Sequence, residues 1–385
     1  MTGDRLLVVG NNQVDYNSER NFHALPFTKV RTKKTSDVLK PVNHALQKGL
    51  RRKSELVQYL HCDLGLNGCD VLHFFNSLSL GRTPWITTVE SVSPRWNHSS
   101  HFGVRLMARD TCRNLLMMSG NGMQIQSHLL DGFPAERDAI AGKMRVLHPA
   151  QAPLIDSIED KPVDSRYITA MLVGADFFRK GGLELLRAAD RLLRRDAPLR
   201  LVIVSSMKTA DYASRAGADH LNEARELIER HPKAIVHHHR LPNEAVLDLF
   251  RCSDIGLLPT YDETYGYSVL EAQAAGCATI TTNMRALPEI NTANTGWTID
   301  VPVGDFGVAT YQSDTGRARL SVSIEEGLEA ALDEACKDPP SVRTRGSRAL
   351  TRIREDHDPH QHARLLETIY FESVGLPDPH AGVTE

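Results

Sequence analysis

PTYDETYGYSVLEAQAAGCATITTNMRALPEI, residues 259–290, is the stretch from which the fold can be read. An apolar run ends at Leu258, Gly266 permits a tight turn, an alanine-rich helix runs from Ser268 to Ala275, and a second apolar run spans Ala278 to Thr282. Strand, turn, helix and strand in so short a span form a βαβ unit with parallel strands. At the helix start, near Gly266, Tyr267 and Ser268, backbone N–H groups lack intrahelical acceptors and the positive end of the dipole stands behind them, which favours a phosphate. Glu263 precedes that position and Glu271 follows it, so a carboxylate on either side is placed to accept sugar hydroxyls. An amphipathic helix with incidental carboxylates is the plain alternative.

The same alternation extends outward. Upstream it reads as strand Tyr167–Val173, helix Gly182–Arg194, strand Leu199–Val204, helix Asp219–Arg230, strand Ala234–His238, helix Asn243–Phe250 and strand Ile255–Leu258. Between Ala150 and Ser165 the pattern lapses into a polar stretch with two prolines, a linker by composition. Before it lie apolar runs at Leu6–Val9, Val71–Phe75 and Trp85–Val89, a helix and strand within Ala108–Met118, a helix from Asn121 to Leu130, and helical patterns such as Glu55 to Leu60. The expectation is α/β throughout: two Rossmann-like domains facing across a cleft, residues 1–155 and 165–355, with a final helix over 358–374. No internal repeat or low-complexity tract interrupts them.

Composition agrees. The chain has 385 residues, 45 Lys+Arg against 48 Asp+Glu, 41% hydrophobic and 24% charged residues. At roughly 150 residues per domain this fits two or three domains, and it excludes disorder, collagen and a disulfide-stapled miniature. The six cysteines, Cys62, Cys69, Cys112, Cys252, Cys277 and Cys336, show neither Cys-x-x-Cys pairs nor a zinc pattern. No run of ~18 apolar residues occurs and the start lacks a secretory pattern, so a cytoplasmic protein is expected. The net charge of −3 conceals an asymmetry: residues 29–53 carry nine basic side chains and only Asp37 as acid, about +8 against about −11 elsewhere. That segment is either a solvated basic helix or loop, or a patch for anionic membranes at the inner face; with little aromatic interleaving, nucleic acid is a weaker partner.

The 259–290 segment resembles the retaining GT-B glycosyltransferases with a Glu-(x)7-Glu motif, the glycosyl transferases group 1, here Glu263 to Glu271 followed by Ala272, Ala275-Gly276 and Leu287-Pro288-Glu289-Ile290. The resemblance implies that Glu263 meets the donor sugar, the amides of Gly266, Tyr267 and Ser268 the diphosphate, and Glu271 the ribose. A second match is MLVGADFFRKGG, residues 171–182, where family members clamp the leaving diphosphate with Arg and Lys. Lys180 fits; the Arg position is Ala175, and Arg179 can replace the charge. Two cations at a helix start oppose its dipole, so an anionic ligand, or simply a solvated loop, accounts for them. A third match, VHHHRLPNE at 236–244, resembles the segment that reads the nucleotide base, with Leu241 near the base. Only His237 and His239 of its three histidines share a strand face, too few for a metal site.

The first half resembles the family's acceptor domain less closely. Gly10 and Asn11 stand where glycine-rich backbone approaches the diphosphate, and Ser119 and residues 143–149 fit strands leading to the linker. Glu90 stands where a His is usual; it orients a sugar hydroxyl, acts as a base, or is an ordinary strand end, with His98 and His101 as alternatives. Asp356-His357-Asp358-Pro359-His360 has the look of a metal cluster, but Asp358 before Pro359 is an N-cap signature. The resemblance places that final helix on the first domain and implies metal-independent transfer, without cofactor, from a nucleotide-diphosphate sugar to a glycan, lipid-linked or small-molecule hydroxyl. In that chemistry the acceptor attacks from the face the diphosphate leaves, a diphosphate oxygen takes its proton, and preorganised cations stabilise the leaving group. A GT-B epimerase or phosphorylase and a non-catalytic nucleotide-sugar-binding protein are the alternatives.

Overall fold

The computed structural model describes residues 6–13, 16–50, 58–96, 100–162, 164 and 166–381. The chain forms two compact units, Met1–Ala150 with His357–Glu385, and Gln151–Asp356.

In the first unit the strands are β1 (Leu7–Asn11), β2 (Val30–Lys34), β3 (Leu60–His61), β4 (Val71–Phe75), β5 (Leu78–Ser79), β6 (Trp85–Val89), β7 (Cys112–Met117) and β8 (Met144–Val146). Six of them make one parallel sheet in the order β2-β1-β4-β6-β7-β8, and β3 pairs with β5 apart from it. Every residue of β4 and β6 is buried, as strands covered on both faces must be. The period of two sorts them: Trp85, Leu115 and Met117 pack with Val104 and Met107 of the helix Ser100–Ala108. Their neighbours Ile86 and Leu116 join Leu7, Val9 and Val71 on the other face, which Leu366, Ile369, Tyr370 and Phe371 of the helix Pro359–Ser373 cover.

That final helix is capped by Asp358, whose carboxylate accepts from the N–H of His360 (3.3 Å) and Gln361 (3.1 Å). Inside the unit, buried Glu367 accepts the N–H groups of Thr28 and Lys29 at the entry to β2. His73 bridges Tyr370 Oη (2.7 Å) and Thr88 Oγ1 (2.9 Å). Among the described residues no group of three or more His, Cys, Asp and Glu could hold a metal ion.

Two expectations change here. The basic stretch is neither one helix nor one loop: it supplies the edge strand β2 and then the helix Leu39–Leu50. Its alternation of Val30 in and Arg31 out suits an edge, and Lys33 and Lys40 spend their ammonium groups on the carbonyls of Asn67 and Asn12. Arg51, Arg52 and Lys53 lie outside the described residues. Leu60 is strand rather than helix, because β5 offers it a partner; residues 55–57 also lie outside.

The second unit contains β9 (Ile168–Val173), β10 (Leu199–Val204), β11 (Ile235–His238), β12 (Ile255–Leu258), β13 (Ala278–Thr282) and β14 (Gly296–Ile299), all parallel in the order β11-β10-β9-β12-β13-β14. The order reverses between β9 and β12, the switch point at which such sheets bind ligands. The stretch that is a linker by composition docks on this unit through its described residues 151–162, with Leu154 O accepting from Arg251 and Ile158 O from Arg343. Lys161 is buried and donates to the carbonyls of Phe250 (3.0 Å) and Ala275 (2.7 Å), at the ends of helices Asn243–Arg251 and Tyr267–Ala274. A cation suits helix C-termini. The helices Asp314–Lys337 and Pro339–Asp356 complete the unit.

No described helix is long and apolar enough to cross a membrane.

Candidate functional site

The loops leaving β9 and β12 meet at the switch point. Tyr261 N donates to Arg179 O (2.8 Å), and Thr260 Oγ1 to Arg179 O (3.1 Å) and Asp262 O (2.9 Å), so each loop supplies the other's backbone partners. Two glycines make this approach possible. Gly181 has φ +72°, and a Cβ there would lie 2.0 Å from Pro259 O; Gly174 has φ +147°, and a Cβ would lie 2.4 Å from the Lys180 chain. Lys180 therefore extends over bare backbone, and its Nζ reaches Glu263 Oε2 at 3.3 Å.

Both side chains of that pair are mostly enclosed, with 14% and 19% of their surface exposed. Burial works against ionising Glu263, but Lys180, Arg179 and the N–H of Thr264 outweigh it and hold the carboxyl below its usual range. Arg179 leans the other way as well, pairing with Asp176 at 2.9 Å and lying 5.9 Å from the Tyr212 ring. Two ion pairs, Lys180–Glu263 and Arg179–Asp176, thus stand where the two loops cross. Ala175, at the position of the family's Arg, is exposed.

Gly266 opens the helix Tyr267–Ala274 with φ +102°, and a Cβ there would press on Leu287 Cδ2 at 2.7 Å. Ser268 Oγ is enclosed without a hydrogen-bond partner in this first turn. Glu271, one turn on, is buried. Behind the loop, Tyr261 Oη donates to buried Glu184 (2.6 Å), whose carboxyl is pushed up by burial. Leu241 packs on the cluster of Met171, Val202 and Phe250 under the loop after β11. His237 gives its ring to Ser205 O (2.8 Å).

The second unit therefore brings Glu263, Lys180 and Arg179 together, with Gly266, Tyr267, Ser268 and Glu271 on the same loop and helix. Gly10, Asn11 and Glu90 belong to the first unit and have partners there. Gly10 lies inside β1, where a Cβ would strike Thr35, Cys69 and Leu72, so packing alone demands glycine. Asn11 accepts from Gln13 N (2.6 Å), and the Gln13 amide spans to both backbone groups of Phe75 at the end of β4. Glu90 pairs with Arg95, and its N–H donates to Asn76 Oδ1 (3.0 Å). His101 stacks edge-on to Phe133 at 4.8 Å; His98 lies outside the described residues.

Sequence reasoning passed over Asp262. Its carboxylate accepts from Tyr212 Oη (2.6 Å) and Tyr311 Oη (3.4 Å) and lies 3.3 Å from Arg285 Nε. Three partners from three separate loops leave no spacing signal; only its place beside Glu263 could have drawn notice.

A doubly wound parallel sheet whose switch point carries a glycine-opened helix start beside the Lys180–Glu263 and Arg179–Asp176 pairs belongs to the class of open α/β folds that take ligands at strand ends. Comparison with known proteins narrows it. Residues 156–306, within the second unit, match the family model described as glycosyl transferases group 1. A D-inositol 3-phosphate glycosyltransferase from Corynebacterium aurimucosum is 29% identical over 205 residues, 52% of this chain and 43% of that protein. The chain thus aligns with about half the length of such relatives. A glycosyltransferase from Rickettsia africae superposes with a TM-score of 0.58 at 15% identity, over 95% of this chain and 90% of that one. The Anabaena protein HepE, solved with UDP and glucose, gives 0.51 at 12% identity over 93% and 90%. The fold is that of the GT-B glycosyltransferases.

Proposed function

We propose that this protein transfers a sugar, with retention of anomeric configuration, from a nucleoside-diphosphate sugar to a hydroxyl acceptor. The observation that carries the proposal is the Lys180–Glu263 pair at 3.3 Å, set where the β9 and β12 loops cross and beside the helix opened by Gly266. UDP and glucose in HepE support a donor of this class. Lys180 and Arg179 neutralise the departing diphosphate; the amides from Gly266 to Ser268 add donors fixed before the reaction begins. Glu263, kept ionised by those cations, accepts hydroxyls of the donor sugar rather than attacking it. Glu271 takes the ribose, and Leu241 borders the base. In this reading Lys180 and Arg179 supply the positive charge the leaving diphosphate needs, so the reaction runs without a metal, and a chelator is expected to leave the rate unchanged. The acceptor is a glycan, a lipid-linked sugar or a small polyol.

The test is turnover of UDP-glucose, GDP-mannose and ADP-glucose, with and without saccharide acceptors. Glu263→Ala and Lys180→Ala each lower turnover by about a hundredfold or more. Unchanged turnover in both would remove these residues from the mechanism.

The exposed Arg31, Lys34 and Lys48 support the reading of a cytoplasmic protein that visits anionic membranes, each basic group adding about 1 kcal/mol near the surface. Flotation with phosphatidylserine vesicles is expected at low salt and lost at high salt; no flotation at low salt rejects the membrane role.

A further inference from the structure

Asp262 is enclosed, 8% exposed, yet its carboxylate touches no part of its own loop that would account for a charge there. Its partners come from three other segments: Tyr212 from loop 205–217, Arg285 after β13, and Tyr311 before the helix Asp314–Lys337. Each segment holds non-glycine residues in the left-handed region: Met207 (φ 50°), Ala210 (φ 64°) and Arg215 (φ 55°) in the first, Arg285 itself (φ 42°) in the second, and Phe306 (φ 56°) in the third. Such conformations persist only where the surroundings over-determine them, and they gather at functional sites. Here the three strained segments converge on one carboxylate next to Glu263. The backbone carbonyl of the same residue accepts from Arg179 Nη1 and Thr260 Oγ1, so Asp262 fixes one of the two cations directly. Tyr212 closes the circuit, donating to Asp262 while its ring faces the Arg179 guanidinium.

We propose that Asp262 is a positioning residue of the donor site: Arg285, Tyr212 and Tyr311 hold its carboxylate, and through it Glu263 and Arg179 keep their places. The kinetic part of this rests on the sugar-transfer function proposed above; the geometric part does not. The Asp262 carboxylate is taken up by Tyr212, Tyr311 and Arg285, so the proposal puts its effect on kcat. A misplacement of the catalytic pair by a fraction of an ångström slows the step without abolishing donor binding.

The experiment combines native hydrogen exchange of residues 176–181 and 260–266 with turnover of UDP-glucose, GDP-mannose and ADP-glucose, in the full chain. Tyr212→Phe removes one hydroxyl from an exposed ring and should fold normally; Asp262→Asn keeps the shape but loses the charge facing Arg285. Both are expected to speed exchange in both loops. Asp262→Asn should lower kcat about tenfold, and Tyr212→Phe about threefold, with donor KM within about twofold and, for Tyr212→Phe, the melting midpoint unmoved. A merely structural role would shift the midpoint and leave kcat per folded molecule intact. Unchanged exchange in both loops in Asp262→Asn and in the Tyr212→Phe, Tyr311→Phe double variant overturns the proposal. If the wild type turns over none of the three donors while the loops still loosen, positioning stands and the sugar-transfer function falls.

Discussion

At the scale of single residues, the balance at Glu263 decides its chemistry. Desolvation alone would raise its pKa, and Lys180 and Arg179 reverse the sign. Removing one cation must therefore raise it: in Arg179→Met the acidic limb of the pH–rate profile is expected to move toward neutrality, and a limb that stays in place would contradict the assignment. Gly174 gives a separate test. Its Cβ would occupy the path of the Lys180 chain, so Gly174→Ala should lower turnover about as much as losing Lys180, while Arg179 and the helix start stay in place. Glu263, Lys180 and the Gly266 turn were legible in the sequence because each lies in a short segment with its own spacing. Asp262, Tyr212, Tyr311 and Arg285 were not, since only folding brings four distant loops together. Gly10 shows the converse: its neighbours Thr35, Cys69 and Leu72, brought together only by folding, give a packing reason for glycine that its sequence context does not show.

At the scale of elements, periodicity gave β9 to β13 within a residue or so, because each is rich in apolar or β-branched residues between polar breaks; β14 (Gly296–Ile299) went unread, its four residues being too short a pattern. β2 was hidden, since three of its five residues are basic and its pairing with β1 comes from register rather than hydrophobicity. The 151–165 stretch misled for a related reason: two prolines and several charges suggest a linker, but one of those charges is Lys161, sealed against two helix ends. Lys161→Met leaves the carbonyls of Phe250 and Ala275 without a donor and should destabilise the second unit by on the order of 2–4 kcal/mol, measured by denaturant unfolding. A loss below about 0.5 kcal/mol would mean that water replaces the ammonium.

At the scale of the whole molecule, the two units differ in how their buried titratable groups answer acid. In the first, burial, reinforced by His362 and His23, pushes His73 down to about 3; burial, reinforced by His357, pushes His362 down to about 4. The unfolded chain protonates both near pH 6.5, so their contribution is complete above that value and drains away as pH falls toward 4. In the second unit the signs oppose one another: burial raises the carboxyls of Glu184 and Asp254, which take up protons more readily folded than unfolded, while charged partners outweigh burial and lower those of Asp190, Glu223, Glu263 and Glu329. Hydrogen exchange between pH 7 and 5, corrected for intrinsic rates, should show first-unit amides losing protection as the pH falls; first-unit protection that stays constant over this range would refute the assignment.

The final helix also sets an order of events during synthesis. The face of the first sheet formed by Leu7, Val9, Val71, Ile86 and Leu116 is covered by Leu366, Ile369, Tyr370 and Phe371, residues that leave the ribosome about two hundred positions after the first unit's last strand. The second unit, contiguous from Gln151 to Asp356, can finish folding before its predecessor does. Until the last helix arrives, the nascent first half carries an open apolar face, so a ribosome stalled before residue 357 should hold a chain that binds chaperones through its earlier half.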